Sequence, residues 1–187
     1  MKPKLAVVIA GLGGLEGNGA RLLHHASLDA FDASLCVLAA RPAFADHEAV
    51  LQDAHAFLFI TGTYWDGWSS YLQRFLEEAT PSEATATWVG KPAAVWVTAH
   101  SVGGKGVLSR LQGVLSTFGA MIPPMTGVVV TKANEIAAAM APSEADDFFT
   151  AKDLAISVAN LEQSLRERPA YRAWEVERTD PMRRWVP

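Results

Sequence analysis

The 187-residue chain is half hydrophobic, 19% charged and carries a formal net charge of −4. This composition supports a sizeable core rather than disorder, and the length leads us to expect a single domain spanning 1–187. Mild acidity without a long basic run excludes a nucleic-acid or anionic-membrane surface, and the short cluster Met182-Arg183-Arg184-Trp185 is too small to alter that. The lone cysteine, Cys36, excludes a disulfide framework and a cysteine-rich zinc site, and its apolar setting Leu35-Cys36-Val37-Leu38 reads as an inert core thiol. His24, His25, His47 and His55 lack partners at metal-ligand spacing, so no metal is expected. The apolar run before Gly11 is too short for a signal sequence, and no run approaches a membrane span. The expectation is a cytoplasmic protein without membrane insertion.

In chain order, the first strand-length apolar run is Leu5–Ala10, followed by a helical pattern from Gly19 to Ala26 with Leu22, Leu23 and Ala26 on one face. A second run, Ser34–Ala39, precedes a short helix over about Asp46–Asp53. The third run, Ala56–Ile60, leads through a polar and aromatic turn to Trp68, Tyr71, Leu72, Phe75 and Leu76, which share one helix face. Ala93–Val97 is the fourth strand. Val107, Leu108, Leu111, Val114, Leu115 and Phe118 form the stripe of the next helix, and Gly119 suits its stop. Gly127–Thr131 is the fifth strand. A last helix starts at Thr150, with Asp153 as the weaker partner of a capping box and Leu154, Val158, Leu161 and Leu165 on its face. An irregular tail follows from about Arg168, carrying Pro169, Tyr171, Trp174, Pro181, Trp185 and Pro187.

The five strands are close to continuously apolar, as in a parallel sheet covered on both faces. Alternating strand and helix predicts an α/β fold: a flavodoxin-like, doubly wound five-stranded parallel sheet of order 2-1-3-4-5. In that order the loops after strands 1, 3 and 4 meet on one edge. They are Gly11–Gly19, Thr61–Trp68 and Thr98–Gly106, and they hold ten of the fourteen glycines. Converging glycine-rich loops permit close backbone approach to a shared ligand.

The first loop, Gly11-Leu-Gly-Gly-Leu-Glu-Gly-Asn-Gly19, fits neither a dinucleotide fingerprint nor a Walker loop, because Glu16 replaces the third glycine and no Gly-Lys-Ser/Thr follows. It contains no Ser, Thr, Lys or Arg, so phosphate binding there rests on backbone N–H groups and Asn18. In the second loop, Thr61 and Thr63 orient the turn or donate to a ligand. Tyr64 and Trp65 offer flat faces for a planar ligand or a subunit interface, while Trp68 belongs to the helix stripe. In the third loop, His100 is suited either to supplying a proton or to bonding within its own loop. Lys105 meets a nicotinamide cofactor's phosphate or solvent. Ser101 lies outside any Gly-x-Ser-x-Gly elbow, which excludes a serine hydrolase.

Over about residues 4–130 the chain resembles the flavodoxin-like NADPH-dependent FMN reductases and quinone reductases. The segment Thr61-Gly-Thr-Tyr-Trp-Asp-Gly-Trp-Ser-Ser-Tyr-Leu-Gln-Arg-Phe75 is similar to that family's Thr-Pro-x-Tyr turn and Leu-Lys helix, with Gly62 for the proline and Leu72-Gln73 for Leu-Lys. Gly90-Lys91-Pro92, Thr98 and Gly103-Gly104 resemble its fourth strand and loop. Gly119-Ala120 and Pro123 resemble its approach to strand five, and Gly17-Asn18 with Ala20-x-Leu22-Leu23 roughly matches its phosphate loop. The resemblance implies bound FMN, NAD(P)H as co-substrate and a quinone, flavin or similar small-molecule electron acceptor, in a homodimer or homotetramer. It implies that Gly13, Gly14, Gly17 and Asn18 hold the phosphate, and that Thr63, Tyr64, Trp65, Asp66, Gly67, Thr98, His100, Gly103 and Gly104 flank the ring. No side chain is then required as a nucleophile. The alternative is a non-enzymatic flavodoxin-like module, either an electron carrier or a relative that has lost FMN.

Overall fold

The computed structural model describes residues 1–141, 149–167 and 170–174. The expected tail lies outside them except for 170–174. Five parallel strands, β1 (Lys4–Ile9), β2 (Asp32–Val37), β3 (Ala56–Gly62), β4 (Ala93–Ala99) and β5 (Gly127–Thr131), form one sheet of order β2-β1-β3-β4-β5. This is the expected flavodoxin-like arrangement. The register sets Ile9 beside Ile60 and Gly62 beside Thr98, so the carboxyl ends of β1, β3 and β4 lie together.

The helices are α1 (Asn18–Arg21), α2 (Glu48–Asp53), α3 (Ser70–Ala79), α4 (Gly104–Phe118), α5 (Lys132–Met140) and α6 (Asp153–Arg166). One face of the sheet packs Ala6, Val8, Phe57, Phe59, Val95 and Val97 against α3 and α4 residues such as Phe75, Leu111 and Leu115. The other packs Val7, Ile9, Leu58, Ile60 and Trp96 against Ala20, Leu22, Leu154, Val158 and Leu161. Residues of either parity along β1, β3 and β4 are therefore buried, which explains their unbroken apolar runs.

Several boundaries differ from the sequence pattern. β2 begins at Asp32 rather than Ser34 and ends at Val37 rather than Ala39. It is an edge strand, and Leu35 is half exposed while Cys36 is fully buried. The helix expected over Gly19–Ala26 is one short α turn that tightens into a 3-10 segment, Leu22–His25. The helix expected from Trp68 starts after Ser69, whose hydroxyl accepts the Leu72 N–H at 3.1 Å. Trp68 just precedes that cap. Its Nε1 donates to Gln73 Oε1 at 2.8 Å, a polar counterpart of the hydrophobic staple. Gly119 (φ 109°) ends α4, with Ala120 N–H bonded to Leu115 O and Gly119 N–H to Ser116 O, the two bonds of a Schellman stop. At the start of α6, Asp153 Oδ2 accepts the Thr150 N–H at 2.7 Å, which is half of the expected capping box. α5 has no counterpart among the expected helices.

Candidate functional site

The register places the three glycine loops side by side, and backbone and side-chain bonds tie them together. The Thr63 N–H donates to the Thr98 carbonyl at 2.8 Å, joining the second loop to the end of β4. The Ser69 hydroxyl donates to the carbonyl of Ala10, joining the base of α3 to the end of β1. The Tyr64 hydroxyl accepts the Leu12 N–H at 3.0 Å, so its ring reaches across Gly62 to the first loop.

A cleft of about 360 Å³ opens between these loops. Gly11, Gly13, Gly17, Asn18 and Gly19 line one wall; Gly62, Thr63 and Tyr64 line the floor; Thr98, Ala99, His100 and Lys132 complete it. Of the sequence-derived candidates, Gly13, Gly17, Asn18, Thr63, Tyr64, Thr98 and His100 are thus brought together. Gly14 is buried against Val37 and Ala39 behind the loop. Trp65, Asp66, Gly67, Gly103 and Gly104 lie beyond the cleft wall as a separate pair of turns.

The first loop folds back on itself: a Cβ at Gly13 would come within 2.9 Å of Gly17 Cα, so this turn closes only without a side chain there. Because α1 is a single turn, the aligned dipole of a long helix is not available to an anion, and the backbone N–H groups of the loop are left with the task. Glu16 is exposed and does not line the cleft.

The second loop is a tight turn. Tyr64 and Gly67 exchange N–H···O bonds of 2.8 and 2.9 Å, and Trp65 (φ 47°) and Asp66 (φ 60°) both take left-handed backbone, as in a type I′ hairpin. Trp65 is fully exposed. The Asp66 carboxylate rests against Gly103 (φ 92°), where a Cβ would collide with it, which locks the second and third loops together. Trp68 is partly buried against the core, in keeping with its place on the helix stripe.

The Thr63 hydroxyl oxygen is buried and has no hydrogen-bond partner among the described residues. A polar ligand in the cleft is the physical remedy for such a group. Glycine walls, loop N–H groups, this orphaned hydroxyl and one cation together fit an elongated anionic ligand such as FMN.

Sequence reasoning overlooked Lys132, because β5 runs into α5 with no intervening loop. Lys132 is the one residue of formal charge lining the cleft. Lys105 instead lies 5.9 Å from the ring centre of Phe149 and away from the cleft. His47 is buried and donates from Nε2 to the Arg41 carbonyl at 2.7 Å; His55 accepts the Lys4 N–H at 3.1 Å. Both serve the fold. Among the described residues no group of three His, Cys, Asp or Glu side chains is placed to hold a metal, and no helix is long and apolar enough to cross a membrane.

Comparison with known proteins agrees with this geometry. No curated protein matches the sequence. Among solved structures, the chain is similar to an oxidoreductase from Corynebacterium diphtheriae (18% identity, 90% of this chain and 99% of that one, TM-score 0.68). It is similar to a flavodoxin, WrbA-like protein from Agrobacterium tumefaciens (17%, 90% and 100%, TM-score 0.67). It is also similar to a flavoenzyme NAD(P)H:(acceptor) oxidoreductase from Paracoccus denitrificans (18%, 87% and 98%, TM-score 0.60). At these identities the likeness is one of fold. Residues 3–135 match the family model for NADPH-dependent FMN reductase, and with most of its length covered the chain belongs to that family.

Proposed function

We propose that the protein is an FMN-dependent NAD(P)H oxidoreductase that passes electrons to a small-molecule acceptor such as a quinone or free flavin. The observation that carries this reading is the convergence of three glycine-rich loops on one cleft at the switch point of the sheet. Membership of the reductase family supports it. When bound, the flavin supplies the hydride chemistry; the chain's own groups bind and orient it.

In this reading Gly13 and Asn18 hold the phosphate end, while Gly14 and Gly17, whose N–H groups are bonded to the Gly11 and Gly14 carbonyls, shape the turn. Thr63 to Gly67 and Thr98 to Gly104 flank the ring, with Tyr64 bracing the turn through its bond to Leu12. In this reading His100, which is exposed and lines the cleft, holds a proton for a reduced acceptor. No nucleophile is required.

One observation favours a second reading, a relative that has lost FMN. The first loop has neither hydroxyl nor cation, and the Tyr64 hydroxyl already takes one of its N–H donors. Purification decides between them. The reductase reading expects a flavin spectrum, or saturable FMN binding, and oxidation of NADH or NADPH with a quinone or FMN as acceptor. A protein that binds no FMN sinks it, and one that binds FMN but oxidises neither nucleotide is a carrier.

A further inference from the structure

Each of the three glycine loops leaves an apolar side chain in water beside the cleft. Leu12 lies between the lining residues Gly11 and Gly13, Trp65 follows Tyr64, and Val102 comes two residues after His100. Leu12 is half exposed, Val102 is 82% exposed and Trp65 is fully exposed. Contacts between the loops draw them to one rim. The Tyr64 hydroxyl accepts the Leu12 N–H at 3.0 Å, and Trp65 is the next residue. The Asp66 carboxylate rests against Gly103, and Val102 is the residue before it. Apolar residues scattered singly over a surface need no explanation, but a group gathered at one cleft marks a contact site.

The size of the cleft says what meets that rim. At about 360 Å³ it has the room of one small-molecule ligand. With the flavin in it, an acceptor brings only its reacting ring to the cleft, and any substituent on that ring lies outside, over the rim. Leu12 and Val102 carry no side-chain donor or acceptor, so what they offer such a substituent is apolar contact. The backbone under them is tied down by the Tyr64 and Asp66 contacts, so the surface is formed before the acceptor arrives.

We propose that Leu12 and Val102 are specificity-determining residues that select an electron acceptor bearing an apolar substituent, such as an alkylated quinone. The inference rests on the FMN-dependent reductase reading above. The test is NADH or NADPH oxidation by the FMN-loaded protein with a series of 2-alkyl-1,4-benzoquinones, methyl to hexyl, for wild type, L12N, V102T and the double variant. Lengthening the chain leaves the chemistry of the quinone ring almost constant, so the slope of kcat/KM against chain length reads the rim. Full burial of a methylene is worth about fourfold and half burial about twofold, so the wild type is expected to gain about twofold per carbon over the first few carbons. The single variants are expected to lower that slope and the double variant to flatten it. A flat wild-type series, or variants that keep the full slope, overturns the assignment, while turnover of the methyl quinone leaves the reductase reading standing. Size-exclusion chromatography tests the rival occupant: a wild type that self-associates beside a monomeric double variant makes the rim a contact between copies of this chain and overturns the assignment as well. If the wild type binds no FMN, both readings fall.

Discussion

Replacing Ser69 with alanine tests how the site loops are anchored. Ser69 is 1% exposed. Its hydroxyl accepts the Leu72 N–H at 3.1 Å and donates to the Ala10 carbonyl, so one oxygen caps α3 and holds it to the end of β1. Loss of the cap costs ~1 kcal/mol, and leaving the buried carbonyl one partner short costs ~1–2 kcal/mol. The sum, ~2–3 kcal/mol, lowers Tm by about 5–10 °C in a chain of this size. Urea denaturation followed by far-UV circular dichroism measures it. Ser69→Gly separates the two parts, because glycine at an N-cap costs only a few tenths of a kcal/mol relative to serine but cannot donate to Ala10. S69G should therefore lie between wild type and S69A. An S69A protein within ~0.5 kcal/mol of wild type, the range of ordinary surface changes, would refute the double role.

Three further outcomes are expected. Burial pushes the Cys36 thiol up to about 11, so iodoacetamide at pH 8 should label it only as fast as the protein unfolds; rapid labelling of the native state would contradict its placement. Desolvation pulls Lys91 from 10.5 down to about 8, so between those values the unfolded chain binds more protons, and the group's contribution to stability rises with pH. Relative to K91M, wild type should gain about 2 kcal/mol across that window after discounting for partial exposure, and a pH-independent gap would count against the shift. Gly103→Ala forces a Cβ at φ 92° into the Asp66 carboxylate and should cost about 1–3 kcal/mol, whereas Gly106→Ala, with open space around it, should be neutral or stabilising by up to about 1 kcal/mol; equal effects would deny the contact.

The parts of the fold legible in the sequence are those where burial leaves a periodic mark. Both faces of β1, β3 and β4 are covered, so their apolar runs read directly as central parallel strands. α4 shows a full stripe and a glycine stop. By contrast, α5 has no fully buried residue, so no hydrophobic stripe marks it. Its signals were weaker: an alanine-rich composition and Thr131, which ends β5 and also caps α5 by accepting the Asn134 N–H at 3.0 Å. With strand and helix sharing one residue, no glycine or proline marks a fourth loop on the site edge, and Lys132 stayed hidden. Ser69 was masked differently, since Trp68 and Tyr71 continue the apolar spacing of α3 through its cap. The cleft itself was legible because glycines cluster where several loops need close backbone approach; its charge was not, because that depends on Lys132, the first residue of α5, outside the three glycine loops.

The second loop carries the strongest physical pointer to function. Left-handed backbone at a bulky residue such as Trp65 costs of order 1 kcal/mol or more. The two bonds between Tyr64 and Gly67 hold the turn, and the Asp66 contact with Gly103 fixes it from the other side. Yet the Trp65 side chain is fully exposed and returns no packing energy to the chain. The turn's own bonds and the Asp66 contact offset that cost within the chain, and under the proposed reading the exposed indole is free to meet a planar ligand. Asp66 gives the turn a rigid base on the third loop, so a ring bound there meets a preorganised face rather than a flexible arm. Under the proposed reading the site then divides the work: glycine backbone at the phosphate side, strained aromatic backbone at the ring side, and Thr63 between them with a buried hydroxyl that no described residue partners.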